Sequence, residues 1–150
     1  MHRGFAAWRA TGGTPQAFYF SYLAIGLVGI GRREEGLQVL EEGFASVAKT
    51  GEQTNRPDLH HVKGRLLLAQ NPSHGAEAEL CFRTAIEIAR RQSARSMELR
   101  ATTSLARLLA KQGRRDEARA LLGEIYGWFT EGFDTTDLKD AKALLDELNA

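Results

Sequence analysis

One turn occurs twice in this chain, and it restricts the fold more than any other feature. It reads Gly31-Arg32-Arg33-Glu34-Glu35-Gly36 and again Gly113-Arg114-Arg115-Asp116-Glu117-Ala118. The two glycines are 82 residues apart, which is two units of about 41, inside the range of helical-hairpin repeats. Each residue type in the turn has a physical task. The glycine takes a positive φ without a Cβ clash and so ends a helix. The two arginines are solvated. The two acids then fall in the first turn of the next helix, where the helix dipole favours negative charge. The closing Gly36 or Ala118 is small where two antiparallel helices come closest. A single hairpin of this kind cannot bury its apolar face alone, so it requires stacked neighbours.

Helical periodicity supports the same architecture. Leu37, Leu40, Phe44 and Val47 recur at three- and four-residue steps, as do Phe82, Ala85, Ile86 and Ala89. Polar/apolar alternation does not persist over a strand length. Glycine, proline and capping residues punctuate the rest. Helices are predicted from Thr14-Pro15 to about Gly29, about Arg33–Thr50, from Pro57 to Gln70, about Gly75–Gln92, about Ala94–Gln112, about Arg115–Thr130, and from Thr135-Thr136-Asp137 to the C-terminus. The expected fold class is all-α: one domain over 1–150, with hairpins at about 14–51, 57–92 and 94–131 and a capping helix at about 136–149. That last segment shows a capping pattern, with Leu138, Ala141, Leu145 and Leu148 on one stripe and Lys139, Asp140, Lys142, Asp146 and Glu147 wet. Residues 4–12 (GFAAWRATG) echo residues 43–51 (GFASVAKTG) at a spacing of 39. The later copy ends the second helix of a pair, so the chain is expected to open inside a partial repeat whose first helix is absent.

Composition narrows the function classes. Twenty Lys+Arg against nineteen Asp+Glu give a net charge of +1, which argues against a strongly basic nucleic-acid surface. The arginines at 83, 90, 91, 95, 100 and 107 lack interleaved aromatics and are diluted by Glu87 and Glu98, so they read as a solvated face. One cysteine, Cys81, excludes an intramolecular disulfide and fits a reducing compartment, and the cytoplasm is expected. Neither a secretory leader nor a membrane-spanning apolar run is visible. No phosphate loop, dinucleotide fingerprint, zincin motif, CxxC pair or calcium loop occurs, so no catalytic, cofactor or metal residue is assigned. His60 and His61 point about 100° apart on a helix and do not converge on one ion. Cys81 reads as a buried, inert thiol.

The paired helices resemble tetratricopeptide repeats. That pattern of small and large residues falls on Ala24, Gly36, Leu40 and Gly43, then on Gly64, Ala78, Phe82 and Ala85, then on Ala106, Ala118, Leu122 and Ile125. The period is longer than the family's, the early tryptophan is missing, and no proline closes each repeat. A narrower resemblance rests on the ending YGWFTEGFDTTDLKDAKALLDEL together with the preceding repeats. It is similar to the C-terminal repeat tail of bacterial signalling proteins that carry an AAA-type ATPase module and often a class III adenylate/guanylate cyclase domain. This implies a non-catalytic regulatory or scaffolding module. A stand-alone adaptor and a fragment of a cyclase enzyme are the alternatives.

In the family the first helix of each pair lines a concave groove. The register places Phe18, Ser21 and Ile25, then Asp58, His61 and Arg65, then Arg100, Thr103, Arg107 and Lys111 on it. The later members are positive and suit a protein or peptide partner with acidic groups. The family's carboxylate clamp is not matched, since Ser21 and Ile25 stand at its first positions. A second candidate surface is the aromatic group Phe18, Tyr19, Phe20 and Tyr22 with Trp8, from which self-association through the N-terminal end is expected.

Overall fold

The computed structural model describes residues 17–150, and among them it contains α-helices, one 3₁₀ turn and no strand. The helices are α1 (Ala17–Gly29), α2 (Arg33–Thr50), α3 (Arg56–Gln70), α4 (Gly75–Arg91), α5 (Arg95–Lys111), α6 (Arg115–Trp128) and α7 (Thr136–Asn149). The all-α class therefore holds, and the boundaries of α2 to α7 lie within two residues of those predicted. The expectations for the 4–12 repeat, Trp8 and the Thr14-Pro15 helix start lie outside the described residues.

The repeated turn forms the same structure in both copies. Arg32 N–H donates to Leu27 O at 2.8 Å and Gly31 N–H to Val28 O at 3.0 Å; Arg114 N–H donates to Leu109 O at 2.8 Å and Gly113 N–H to Ala110 O at 3.1 Å. This is the Schellman pattern, and it requires a left-handed residue at its centre. Gly31 and Gly113 supply it at φ +83° and +82°. Glu34, Glu35, Asp116 and Glu117 occupy the following first turns, and the first arginine of each turn pairs with the acid three residues on, Arg32 with Glu35 and Arg114 with Glu117. A third copy of the geometry was not legible. Ala94 N–H donates to Ala89 O at 2.9 Å and Ser93 N–H to Arg90 O at 3.1 Å, with Ser93 at φ +55°. Midway between the two glycine turns, Pro72–His74 forms the 3₁₀ turn, with Asn71 Oδ1 accepting from Ser73 N–H at 3.0 Å.

Helices adjacent in sequence pack against each other, and α1 also packs on α3, α3 on α5, and α5 on α7. The odd-numbered helices thus form a continuous row. The even-numbered helices come less close to one another among the described residues and meet through side chains, as in the Arg83–Glu117 ion pair between α4 and α6. At one end, the Gln92 side-chain amide donates to Gln53 O at 2.6 Å, tying the α4–α5 turn to the α2–α3 turn.

The apolar interior has two lobes. One gathers residues of α1, α2 and α3 around Phe20, Leu40 and Leu59; the other gathers α4 to α7 around Phe82, Leu105 and Leu122. The lobes meet where Phe82 lies over Gly64: a Cβ added to Gly64 would sit 2.6 Å from the Phe82 ring. Gly43 is similarly pressed, its would-be Cβ 2.8 Å from Phe20 Cβ. All twelve small and large positions read from the repeat pattern are buried. On α7, Leu138, Ala141, Leu144, Leu145 and Leu148 close the second lobe. No helix of the described residues is long and apolar enough to cross a membrane.

Candidate interaction groove

The row of odd-numbered helices opens a groove between α3 and α5, with α7 at one end. Its polar half, about 200 Å³, takes His61 and Arg65 from α3, Arg100, Thr103, Ser104 and Arg107 from α5, and Asp137 and Asp140 from α7. Its larger half, about 470 Å³, shares Arg65, Ser104 and Arg107 and runs towards the α3–α4 turn. There Leu68 and Pro72 provide apolar surface, backed by the buried Phe82 and Leu108, and Lys111 and Gln112 provide the polar rim.

The charges divide into paired and unpaired. Arg100 Nε donates to Asp137 Oδ2 at 2.8 Å, and that hydrogen bond holds the Arg100 guanidinium above its ordinary pKa. Arg65, Arg107 and Lys111 are exposed and form no ion pair with another described residue. Their setting differs from the rest of the arginine-rich segment. Arg83 pairs with Glu79 and Glu117, Arg90 and Arg95 with Glu98, and Arg91 with Glu87. Those arginines are neutralised locally, which leaves little phosphate-binding potential on that face.

His61 is buried, and its Nε2 lies 2.8 Å from Ser104 Oγ, bridging α3 to α5. Burial, followed by the nearby Arg65 and Arg100 charges, lowers its pKa to about 3. The distance suits a nucleophile and base, but an imidazole so hard to protonate is a weak base. The pair acts here as a neutral tie between helices. Asp58 is pushed up by burial, against the pull of Arg100 and Arg65. His60 is lowered to about 4, by burial first and then by Arg56 and Lys63. Its ring packs against Phe44 at 4.8 Å, away from His61's partner. Cys81 is partly buried, and burial raises its thiol pKa, the opposite of an activated nucleophile. Among the described residues no group of three His, Cys, Asp or Glu is placed to hold a metal ion.

The structure brings together His61, Arg65, Arg100, Thr103, Arg107 and Lys111 of the residues expected in the groove. Thr103 is buried, and its hydroxyl donates to Leu99 O at 2.8 Å, so it is already engaged. Asp58 lies close enough to Arg65 and Arg100 to feel their charge but lines neither half. Phe18, Ser21 and Ile25 lie on α1, outside both halves. Ser21 is buried and its Oγ has no partner among the described residues, while Ile25 is exposed. Of the aromatic group on α1, Phe20 is a core residue, whereas Tyr19 and Tyr22 are exposed and Phe18 stacks on Tyr19 at 4.2 Å. Ser104, Gln112, Asp137 and the apolar surface of Leu68 and Pro72 were not anticipated. Ser104 sits four residues after Arg100 and three before Arg107, and Leu108 four after Ser104, a signal the sequence carries.

No protein-family model matches the chain, and no curated protein matches it in sequence.

Proposed function

We propose that the chain is a non-catalytic protein-interaction module of the tetratricopeptide type, a short solenoid of helix pairs closed by α7, that receives an acidic segment of a partner protein between α3 and α5. The observation that carries this reading is the set of three exposed cations, Arg65, Arg107 and Lys111, lining one cleft without an ion-pair partner among the described residues. Elsewhere on the surface such cations are mostly matched by carboxylates of the chain itself. Charge-assisted hydrogen bonds from arginine are the strong polar contacts available to a peptide carboxylate. The solenoid reading is supported by the row of odd-numbered helices and by the buried small and large positions. The narrower reading, a regulatory tail of an ATPase/cyclase-type signalling protein working in the cytoplasm, rests on the YGWFTEGFDTTDLKDAKALLDEL ending.

The test is binding of labelled acidic peptides, followed by anisotropy, to the native chain and to Arg65→Glu/Arg107→Glu. Both residues are exposed, so the double variant should keep its circular dichroism spectrum. Reversal of two contacts should weaken binding at least tenfold, and added salt should weaken the native complex. Equal binding by the two proteins refutes the groove.

A further inference from the structure

The groove is not uniformly basic, and its asymmetry specifies a ligand more narrowly than "acidic". This inference rests on the proposed function above. At the α7 end stand Asp137 and Asp140. Arg65 and Arg107 flank the middle, being common to both halves. Beyond them Leu68 and Pro72 form an apolar surface, backed by the buried Phe82 and Leu108, and Lys111 stands on the rim there. Arg100, in the second turn of α5, and Lys111, its last residue, mark its length. Eleven residues at 1.5 Å each give about 16 Å, room for about five residues of extended chain.

An extended segment sends alternate side chains to opposite sides. If one side chain meets the apolar surface, its two neighbours point to the rim, where Arg107, Arg65 and Lys111 are exposed. The residue two positions away points inward again, at the end where Asp140 is exposed and Asp137 is shared with Arg100. We infer that the groove recognises a partner-protein segment in which an apolar residue lies between two carboxylates, with a cation two positions from the apolar residue, as in Lys-Glu-Leu-Glu. The apolar side chain supplies affinity by leaving water, the carboxylates fix the register, and the cation sets direction by meeting Asp140.

Fluorescein-labelled Gly-Lys-Glu-Leu-Glu-Gly and its reversed order are titrated into the intact chain, beside versions with Leu replaced by Ser and with Lys replaced by Glu. One order should bind best, and Leu to Ser should weaken it about tenfold or more, the worth of one buried aliphatic side chain. Asp140→Lys, an exposed change, should reverse the preference at the cation position, so that the Glu-ended peptide binds better than the Lys-ended one. If the serine peptide binds as well as the leucine peptide, the inference fails while the basic-groove reading stands. If no acidic peptide binds, both fail. Sedimentation showing dimers that dissolve on Arg65→Glu would give the groove to a second copy of this chain and overturn the inference.

Discussion

Replacing Gly64 by alanine tests the packing on which the fold depends. In a helix interior glycine costs up to about 1 kcal/mol relative to alanine, so the substitution is normally stabilising. At Gly64 a Cβ would lie 2.6, 2.9 and 3.1 Å from three atoms of the Phe82 ring. Carbon contacts relax to about 3.5–4.0 Å, so the ring must move by roughly 1 Å. Phe82 is fully buried and held between the two lobes, with His61 at 5.9 Å on one side. Overpacking at such a site costs about 1–3 kcal/mol, which cancels or outweighs the propensity gain and leaves a net loss of up to about 2 kcal/mol. Gly123, exposed in α6 with nothing within 4 Å of its would-be Cβ, is the control. There the same substitution should stabilise by about 0.5–1 kcal/mol. Urea melts give both values, with unchanged m-values expected. A Gly64→Ala protein that melts later, like Gly123→Ala, would refute the close approach of α3 and α4. Gly64→Ala combined with Phe82→Leu should cost less than the sum of the single changes, because each relieves the other.

Three further outcomes are expected. Ser93→Gly should raise stability by about 0.5–1 kcal/mol in a thermal melt, since Ser93 holds φ +55°, where an L-residue pays about 1–2 kcal/mol and glycine does not; an unchanged or lower midpoint would count against the left-handed turn. Glu98→Gln should destabilise by about 1–2 kcal/mol in urea, because the buried Glu98 carboxylate joins Arg90 at 2.7 Å and Arg95 at 2.9 Å and so ties α4 to α5; a neutral effect would show that the pair adds nothing. His60 and His61 have folded pKa values lowered to about 4 and about 3 from 6.5, so the unfolded chain takes up their protons first. Their contribution is complete above pH 6.5 and is lost as pH falls towards those lower values. In His61→Gln the urea midpoint should therefore fall less steeply between pH 6.5 and pH 4 than in the native chain; parallel curves would mean that His61 titrates normally.

The fold was largely legible because its signals are local. Gly31 and Gly113 adopt the positive φ expected of them, and Gly51 and Gly132 do the same at the end of α2 and ahead of α7. Pro57 falls in the first turn of α3 and Pro72 in the 3₁₀ turn. Ser93 escaped notice because serine carries no left-handed preference, and that turn is enforced by the packing of α4 against α5. Helix α1 was harder still. Its Ala17–Gly29 stretch is apolar nearly all round, so periodicity does not say which aromatic faces inward, and only the packed structure separates buried Phe20 from exposed Tyr22.

The groove was half legible, for a reason visible in the repeat register. Taking Ala24, Gly64 and Ala106 as equivalent small positions, the next residue in each unit is Ile25, Arg65 or Arg107, and all three are exposed. Three residues earlier stand Ser21, His61 and Thr103, and all three are buried. Both positions were expected to face the groove, but only the later one presents its side chain freely. The earlier one belongs to the surfaces by which odd-numbered helices pack on one another, as His61 shows by reaching Ser104 on α5. His61 is spent there on a tie between helices and Thr103 on the backbone, while Ser21 is buried without a partner among the described residues. The charge available to a ligand is therefore set by the exposed position, which is apolar in α1 and cationic in α3 and α5. That confines a basic site to the α3–α5 half of the row and leaves α1 to a different kind of contact.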